Sequence, residues 1–557
     1  MHSRILLGFV WLSLMPSAAL ATDTLAPDAE LALRLQADAQ YAARDTACLA
    51  TYRRLAAMHP DDGAMAVRLA RALSYMGRRE EALVWGEKAL DLGFAYEPAA
   101  CYSQAAKAAR DGRAEDAIAW LERSLATGLE ERGQLADDPA FESLRGDPRF
   151  RWMAGLTPEG ELSRAEGWRH DIDYFADEAR RIHPDPERPA WSPAFERDVQ
   201  ALKERLPQLD DVAVAMELQK IVAQHLADGH SVLYPMPTPR LQFGMLPVDY
   251  YFFADGLFVI WADEGHEQFV GREVVAFNGK PVAGLLDSLE TIVSHDNHYG
   301  MLWLAPLYLR FPAVLRAIGF GERLDGARLT LRDGGDEEVV ELPVGQGHPG
   351  PPLPPSPNAP ERAVWLARAQ ETYWSQEWPE ARALYVQVNQ IRDAEEGPSL
   401  AEFAETLRAE LARAGARNLV FDLRLNNGGN NGLVGPLVRL AVWHEMADDD
   451  NRVYVMTGRN TFSACQNLVN RLEAMTHAVF VGEPAGSKPN VAGESNGIQL
   501  PWSGVHVNVS SRWWQDSEPT DRRPYVPVSM PVAYTARDWW EGRDPVREAL
   551  GAYLGRR

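Results

Sequence analysis

Four residues of this chain stand in surroundings that could support attack on a carbonyl: Ser463, His230, Lys488 and Asp521. Ser463 lies in Asn-Thr-Phe-Ser-Ala-Cys-Gln-Asn (460–467). Before it, Arg-Val-Tyr-Val-Met (452–456) reads as a short buried strand, and Thr-Gly-Arg-Asn marks a turn. After it, Leu468, Leu472 and Met475 recur at helical spacing. A serine where a helix begins can cap free backbone N–H groups. It can also attack a carbonyl whose oxygen rests against those same groups. From this stretch alone the cap is the commoner outcome.

Other segments supply what a nucleophile needs. Asp422-Leu-Arg-Leu-Asn-Asn-Gly-Gly-Asn-Asn-Gly432 follows a buried strand directly, the place where chemistry gathers in α/β folds. Its paired glycines, Gly428 and Gly429, could bring backbone N–H groups close to a substrate, although Asn and Gly are also ordinary turn residues. Lys488, in Val481-Gly-Glu-Pro-Ala-Gly-Ser-Lys-Pro-Asn490, could serve as base only if burial kept it neutral. His230, in Leu226-Ala-Asp-Gly-His-Ser-Val-Leu233, carries the side chain best suited to take a proton near neutral pH. Asp521 could orient it. His295-Asp-Asn-His298 reads as a polar turn, since no further ligand pattern accompanies it. No metal or other cofactor is expected.

The elements that must position these residues fall into blocks. Gly77 to Gly93 and Gly112 to Gly128 align as two copies of one pattern, at an offset of 35 (112 − 77). That is close to the period of about 34 for tetratricopeptide repeats. Tyr52 to Pro60 resembles the end of an earlier copy. Such arrays bind peptides or proteins on a concave face, or simply pack on a neighbouring domain. The boundaries expected are a leader at 1–21, helical repeats at 22–155, a helical segment at 160–235, a β-rich segment at 236–345, a Pro-rich loop at 346–364 and an α/β block at 365–557. Within the β-rich segment, Val270 to Val282 reads as strand, Asn-Gly hairpin, strand. Within the last block, Tyr385–Asn389, Asn418–Leu423 and Ala478–Gly482 read as strands and Leu400–Ala414 as a helix.

Bulk properties narrow the partners. A formal net charge of −23 over 557 residues argues against nucleic acid and anionic membrane surfaces. Met1-His-Ser-Arg4, an apolar run from Ile5 to Leu14, and Ser17-Ala-Ala-Leu-Ala21 read as a secretory signal peptide cleaved after Ala21. The apolar run is too short to span a bilayer, so a periplasmic or extracellular protein without membrane insertion is expected. The three cysteines match no metal spacing. Cys48 and Cys101 share one expected domain and could pair, or remain thiols.

Taken in order, Asp-Gly-His-Ser (228–231), Asp-Leu-Arg-x-Asn-x-Gly-Gly (422–429), Thr-Phe-Ser-Ala (461–464) and Val-Gly-Glu-Pro (481–484), with Asn490 and Leu500 to Gly504, resemble the tail-specific serine peptidases and the related tricorn core proteases. The resemblance covers roughly residues 165 to 535. It implies a crotonase-like ββα peptidase core behind a weakly PDZ-like middle segment, and a protein or peptide substrate. It also implies that Ser463 is the nucleophile, with Ala464 N–H and one N–H of Gly428 or Gly429 forming the oxyanion hole. The family uses either a lysine, at the position of Lys488, or a histidine, at the position of His230, with an acid in the region of Asp521. His230 is preferred, because Gly-Ser-Lys-Pro offers no apolar wall around Lys488. This chain departs from the family pattern in having Asp521 where Glu is usual and Pro527-Val528 after it. The alternative function is a catalytically silent peptide- or ligand-binding protein on the same fold.

Overall fold

The computed structural model describes residues 27–94, 98–129, 132–184, 192–345, 353–359 and 361–556. It divides into two units, Met1–Ala154 and Gly155–Arg557. The expected leader lies outside the described residues. No helix among them is long and apolar enough to cross a membrane.

The first unit is helical. Helices Gly63–Tyr75 and Arg79–Asp91 form one hairpin, and Pro98–Arg110 and Ala114–Ala126 form another. Each helix of the second pair begins 35 residues after its counterpart (98 − 63 and 114 − 79), the offset seen in the sequence. Ala117 is fully buried, and Leu90 and Leu125 are buried too, so the matching positions of the two copies do fill the interior. Cys48 is a buried free thiol, so its pairing with Cys101 is not made.

The second unit opens with three helices, Arg164–Ile182, Pro193–Arg205 and Asp211–His225. Each starts at a residue whose side chain accepts a backbone N–H: Ser163, Ser192 and Asp210. A sheet of six strands follows: β1 (Val248–Phe253), β2 (Gly256–Ala262), β3 (Glu273–Phe277), β4 (Lys280–Pro281), β5 (Gly326–Asp333) and β6 (Asp336–Pro343). The β3–β4 turn is the expected Asn278-Gly279 hairpin, with φ of 50° and 77° at its two residues.

The core sheet has the order β14-β11-β10-β9-β8-β7. Its strands are β7 (Tyr373–Trp378), β8 (Ala383–Val388), β9 (Asn418–Asp422), β10 (Arg452–Thr457), β11 (Val479–Gly482) and β14 (Met530–Pro531). Only β7 and β8 run antiparallel; the rest of the ladder is parallel. Every residue of β8 is buried. Leu384, Val386 and Val388 face one cluster with Leu407, Leu437 and Leu468. Ala383 and Tyr385 face the other, with Val546 and Leu550. Both faces are thus covered, by helices Leu400–Ala414, Gly435–Ala447 and Ala464–Met475 on one side and Pro545–Leu554 on the other, as a parallel sheet requires. Met475, the last residue of its helix, is 59% exposed.

A separate two-stranded ribbon, β12 (Asn490–Gln499) with β13 (His506–Gln515), carries the edge to which Val232 bonds through Asn508. The described part of the Pro-rich stretch, 353–359, is pinned rather than free. Trp539 Nε1 donates to Pro354 O, and Ser356 Oγ donates to Trp540 O.

Candidate active site

The site begins where β9 and β10 end. β9 delivers Asp422-Leu-Arg-Leu-Asn-Asn-Gly-Gly; β10 delivers Gly458-Arg-Asn-Thr-Phe-Ser. The two loops are stitched together. Thr461 Oγ1 donates to Leu423 O, Asn460 Nδ2 to Leu425 O, and Phe462 N–H to Asn426 O. The first loop is anchored from below: buried Arg424 pairs with Asp422 and with Asp544, the latter through two bonds of 2.8 Å. Asn426, fully buried, donates to Val388 O and accepts the Gly428 N–H.

These bonds hold Gly428 against the serine and Gly429 against Ile391. A Cβ on Gly428 would lie 2.7 Å from Ser463 Cβ, and one on Gly429 only 2.2 Å from Ile391 O. With φ of 118° and 133°, both positions demand glycine twice over, by space and by backbone.

Ser463 answers the question its sequence leaves open. It precedes the helix Ala464–Met475, yet its side chain makes no capping bond. Its backbone sits at φ 53°, ψ −128°, a region costly for any residue with a Cβ. The half-buried hydroxyl instead lies 3.0 Å from His230 Nε2. Strain of this kind turns the hydroxyl outward from the strand-to-helix turn. The Ala464 and Gly429 N–H groups make no hydrogen bond among the described residues, whereas the Gly428 N–H is taken by Asn426.

His230 is held by its own loop. Asp228 Oδ1 accepts the N–H groups of His230 and Ser231, the side-chain turn typical of Asp two residues upstream. The imidazole stacks on Phe462 at 4.5 Å between centroids, and Phe462 in turn meets Trp303 at 5.2 Å. Asp228 Oδ1 also accepts Ser510 Oγ, and its Oδ2 is bonded to His183 Nε2. Burial works to raise the Asp228 carboxyl, but the His183 hydrogen bond and the charges of His183 and His230 hold it below the usual range.

The remaining candidates fall elsewhere. Lys488 is half-buried and makes no hydrogen bond to Ser463. It lines a cavity of about 200 Å3 together with His183, Asp228, Asp296 and Asp521. Asp521, expected to orient His230, makes no hydrogen bond to it among the described residues. It accepts Ser517 Oγ and both Nε and Nη2 of Arg523, which also grips Glu473. The Arg523 hydrogen bond, against the pull of burial, drives its carboxyl far below the usual range. An aspartate two residues from an arginine satisfies that arginine first.

The residue that sequence reading passed over is Asp296, in the His295-Asp-Asn-His298 turn. Asn297 does cap the next helix, accepting the Gly300 N–H, as a polar turn should. Asp296 points inward. It accepts the Gly229 N–H at 2.9 Å and Ser487 Oγ at 2.5 Å, so it ties the residue before His230 to the residue before Lys488. Burial raises its carboxyl, against the charges of His230 and Lys488 and the Ser487 bond. Among the described residues no group of His, Cys, Asp and Glu has a metal-binding arrangement.

Comparison with solved structures finds the same fold. Mature CPAF complexed with lactacystin is similar at 12% identity, over 70% of this chain and 98% of that one, with a TM-score of 0.50. Mature CPAF alone is similar at 13% identity, over 70% and 97%, also with a TM-score of 0.50. The photosystem II D1 C-terminal processing protease is similar at 14% identity, over 71% and 98%, with a TM-score of 0.34. No family model matches the sequence, and no curated protein does.

Proposed function

We propose that this chain is a serine-type peptidase in which Ser463 is the nucleophile and His230 the base. One observation carries the reading: a strained, uncapped serine hydroxyl lies 3.0 Å from an imidazole nitrogen, beside unpaired backbone N–H groups. The fold shared with CPAF is consistent with it. In the reaction, Ser463 Oγ bonds to the scissile carbonyl carbon while its proton passes to His230 Nε2. The oxygen that gains charge is held by Ala464 N–H and Gly429 N–H. The imidazolium returns the proton to the leaving amine, and water then releases the acyl group by the same route. Lys488 stands outside this exchange.

The setting of the site is part of the proposal. The α/β block 365–557 is taken as the crotonase-like core, the leader as a signal for export, and the helical repeats as a surface that recruits a protein substrate or partner. The test uses the full chain, purified, with labelled casein and a fluorophosphonate probe. Wild type hydrolyses the protein and is labelled at Ser463; Ser463→Ala, with an unchanged circular dichroism spectrum, does neither. Undiminished turnover by Ser463→Ala overturns the mechanism.

A further inference from the structure

We propose that Asp296 is the positioning residue of this site, the carboxylate that orients the His230 imidazole and balances its charge. The inference rests on His230 being the base. With Nε2 accepting the Ser463 proton, the neutral ring carries its own proton on Nδ1. That nitrogen is buried and has no hydrogen-bond partner among the described residues. A buried donor without an acceptor is costly, and an imidazolium there would be costlier still. A carboxylate beside the ring would meet both demands.

Three carboxylates line the cavity beside this loop: Asp228, Asp296 and Asp521. Asp521 is spent on Arg523 and Ser517. Asp228 is charged and close, but four donors already occupy it: His183, the His230 and Ser231 N–H groups, and Ser510. A carboxylate offers about four lone-pair sites, so Asp228 has none to spare. Among the described residues Asp296 has two donors, Gly229 N–H and Ser487 Oγ, and so keeps about two sites open. It is fixed to the residue next to His230, it is 5% exposed, and it borders the same roughly 200 Å3 polar cavity as His183, Asp228 and Lys488.

The arrangement also gives Lys488 a part without making it the base. Its charge acts on Asp296, as does that of His230. One buried carboxylate is thus shared by both side chains that the sequence offers as base. Ser487, the residue before Lys488, holds one oxygen; Gly229, the residue before His230, holds the other.

The test reads His230 itself, so it does not depend on any substrate. In full-length protein with 13C-labelled histidine, the Cε1 resonance of His230, assigned through His230→Gln, is followed against pH. Asp296→Asn lowers its titration midpoint by about one pH unit, because the charged imidazole loses its partner. On a cleaved peptide the same variant loses about tenfold or more in kcat, with KM within about twofold, and the acidic limb of kcat/KM moves down with the midpoint. Asp521→Asn moves neither. If Asp296→Asn does not fold, Ser487→Ala carries the test, since it removes one of the two bonds that aim the carboxylate; the midpoint again falls, by less. A His230 midpoint unmoved in the folded variant overturns the proposal, even if peptide hydrolysis is intact. Absence of hydrolysis in the wild type with a midpoint that moves overturns the peptidase reading alone.

Discussion

Arg424, on the loop that faces Ser463, grips Asp544 at the start of the helix Pro545–Leu554 through two parallel bonds of 2.8 Å. Both side chains are almost fully buried, at 6% and 7% exposure. The same aspartate accepts the Arg547 N–H and so starts the helix as well. Removing one partner of such a pair leaves a buried charge uncompensated. Asp422 remains to share that charge. Asp544→Ala is therefore expected to cost about 3 kcal/mol, at the low end of the range for broken buried pairs. Urea denaturation measures it. Activity should fall alongside, since the 422–429 loop loses its anchor.

The choice of base is testable by two substitutions. His230→Ala should lower kcat by about 10^4-fold, the scale on which a serine loses its proton acceptor. Lys488→Ala should stay within about tenfold of wild type, because Lys488 makes no bond to Ser463. Steady-state kinetics on one peptide decide it. The reverse order of losses would make the lysine the base.

Backbone strain at Ser463 predicts an inverted ranking of stability. At φ 53°, ψ −128°, a glycine is at ease and an alanine is not. Ser463→Gly should exceed Ser463→Ala in stability by about 1 kcal/mol, although both are inactive. Paired thermal melts reveal the difference as a higher Tm for the glycine variant.

Acid sensitivity should track Asp228. Its carboxyl titrates below the ordinary value when folded. Below about pH 4, the unfolded aspartate value, the unfolded chain binds the extra proton. The stability that Asp228 contributes is therefore present above that pH and is lost as the pH falls through the folded value. Between pH 7 and pH 3, wild type should lose more of its denaturant midpoint than Asp228→Asn does. Equal losses would place the sensitivity elsewhere.

Much of the scaffold was legible. The helix Leu400–Ala414 announces itself by Ser399 and Glu402, which close a capping box, and by an apolar stripe ending at Gly415. The strand Asn418–Asp422 is an apolar run between polar ends, as a strand buried on both faces must be. The site was less so. Ser463 and His230 are 233 positions apart, and nothing local brings them together. Asp521 misled because spacing from a serine says nothing of who else competes for a carboxylate, and Arg523 wins that competition. Asp296 hid behind Asn297: one turn both starts a helix and turns a carboxylate inward, and only the first of these leaves a mark in the sequence.

The clasp between Arg424 and Asp544 also sets an order in time. A chain made from its N-terminus presents His230 first, then Ser463, and Asp544 only 81 positions after the serine (544 − 463). Until Asp544 has emerged, the loop opposite the hydroxyl lacks its fastener.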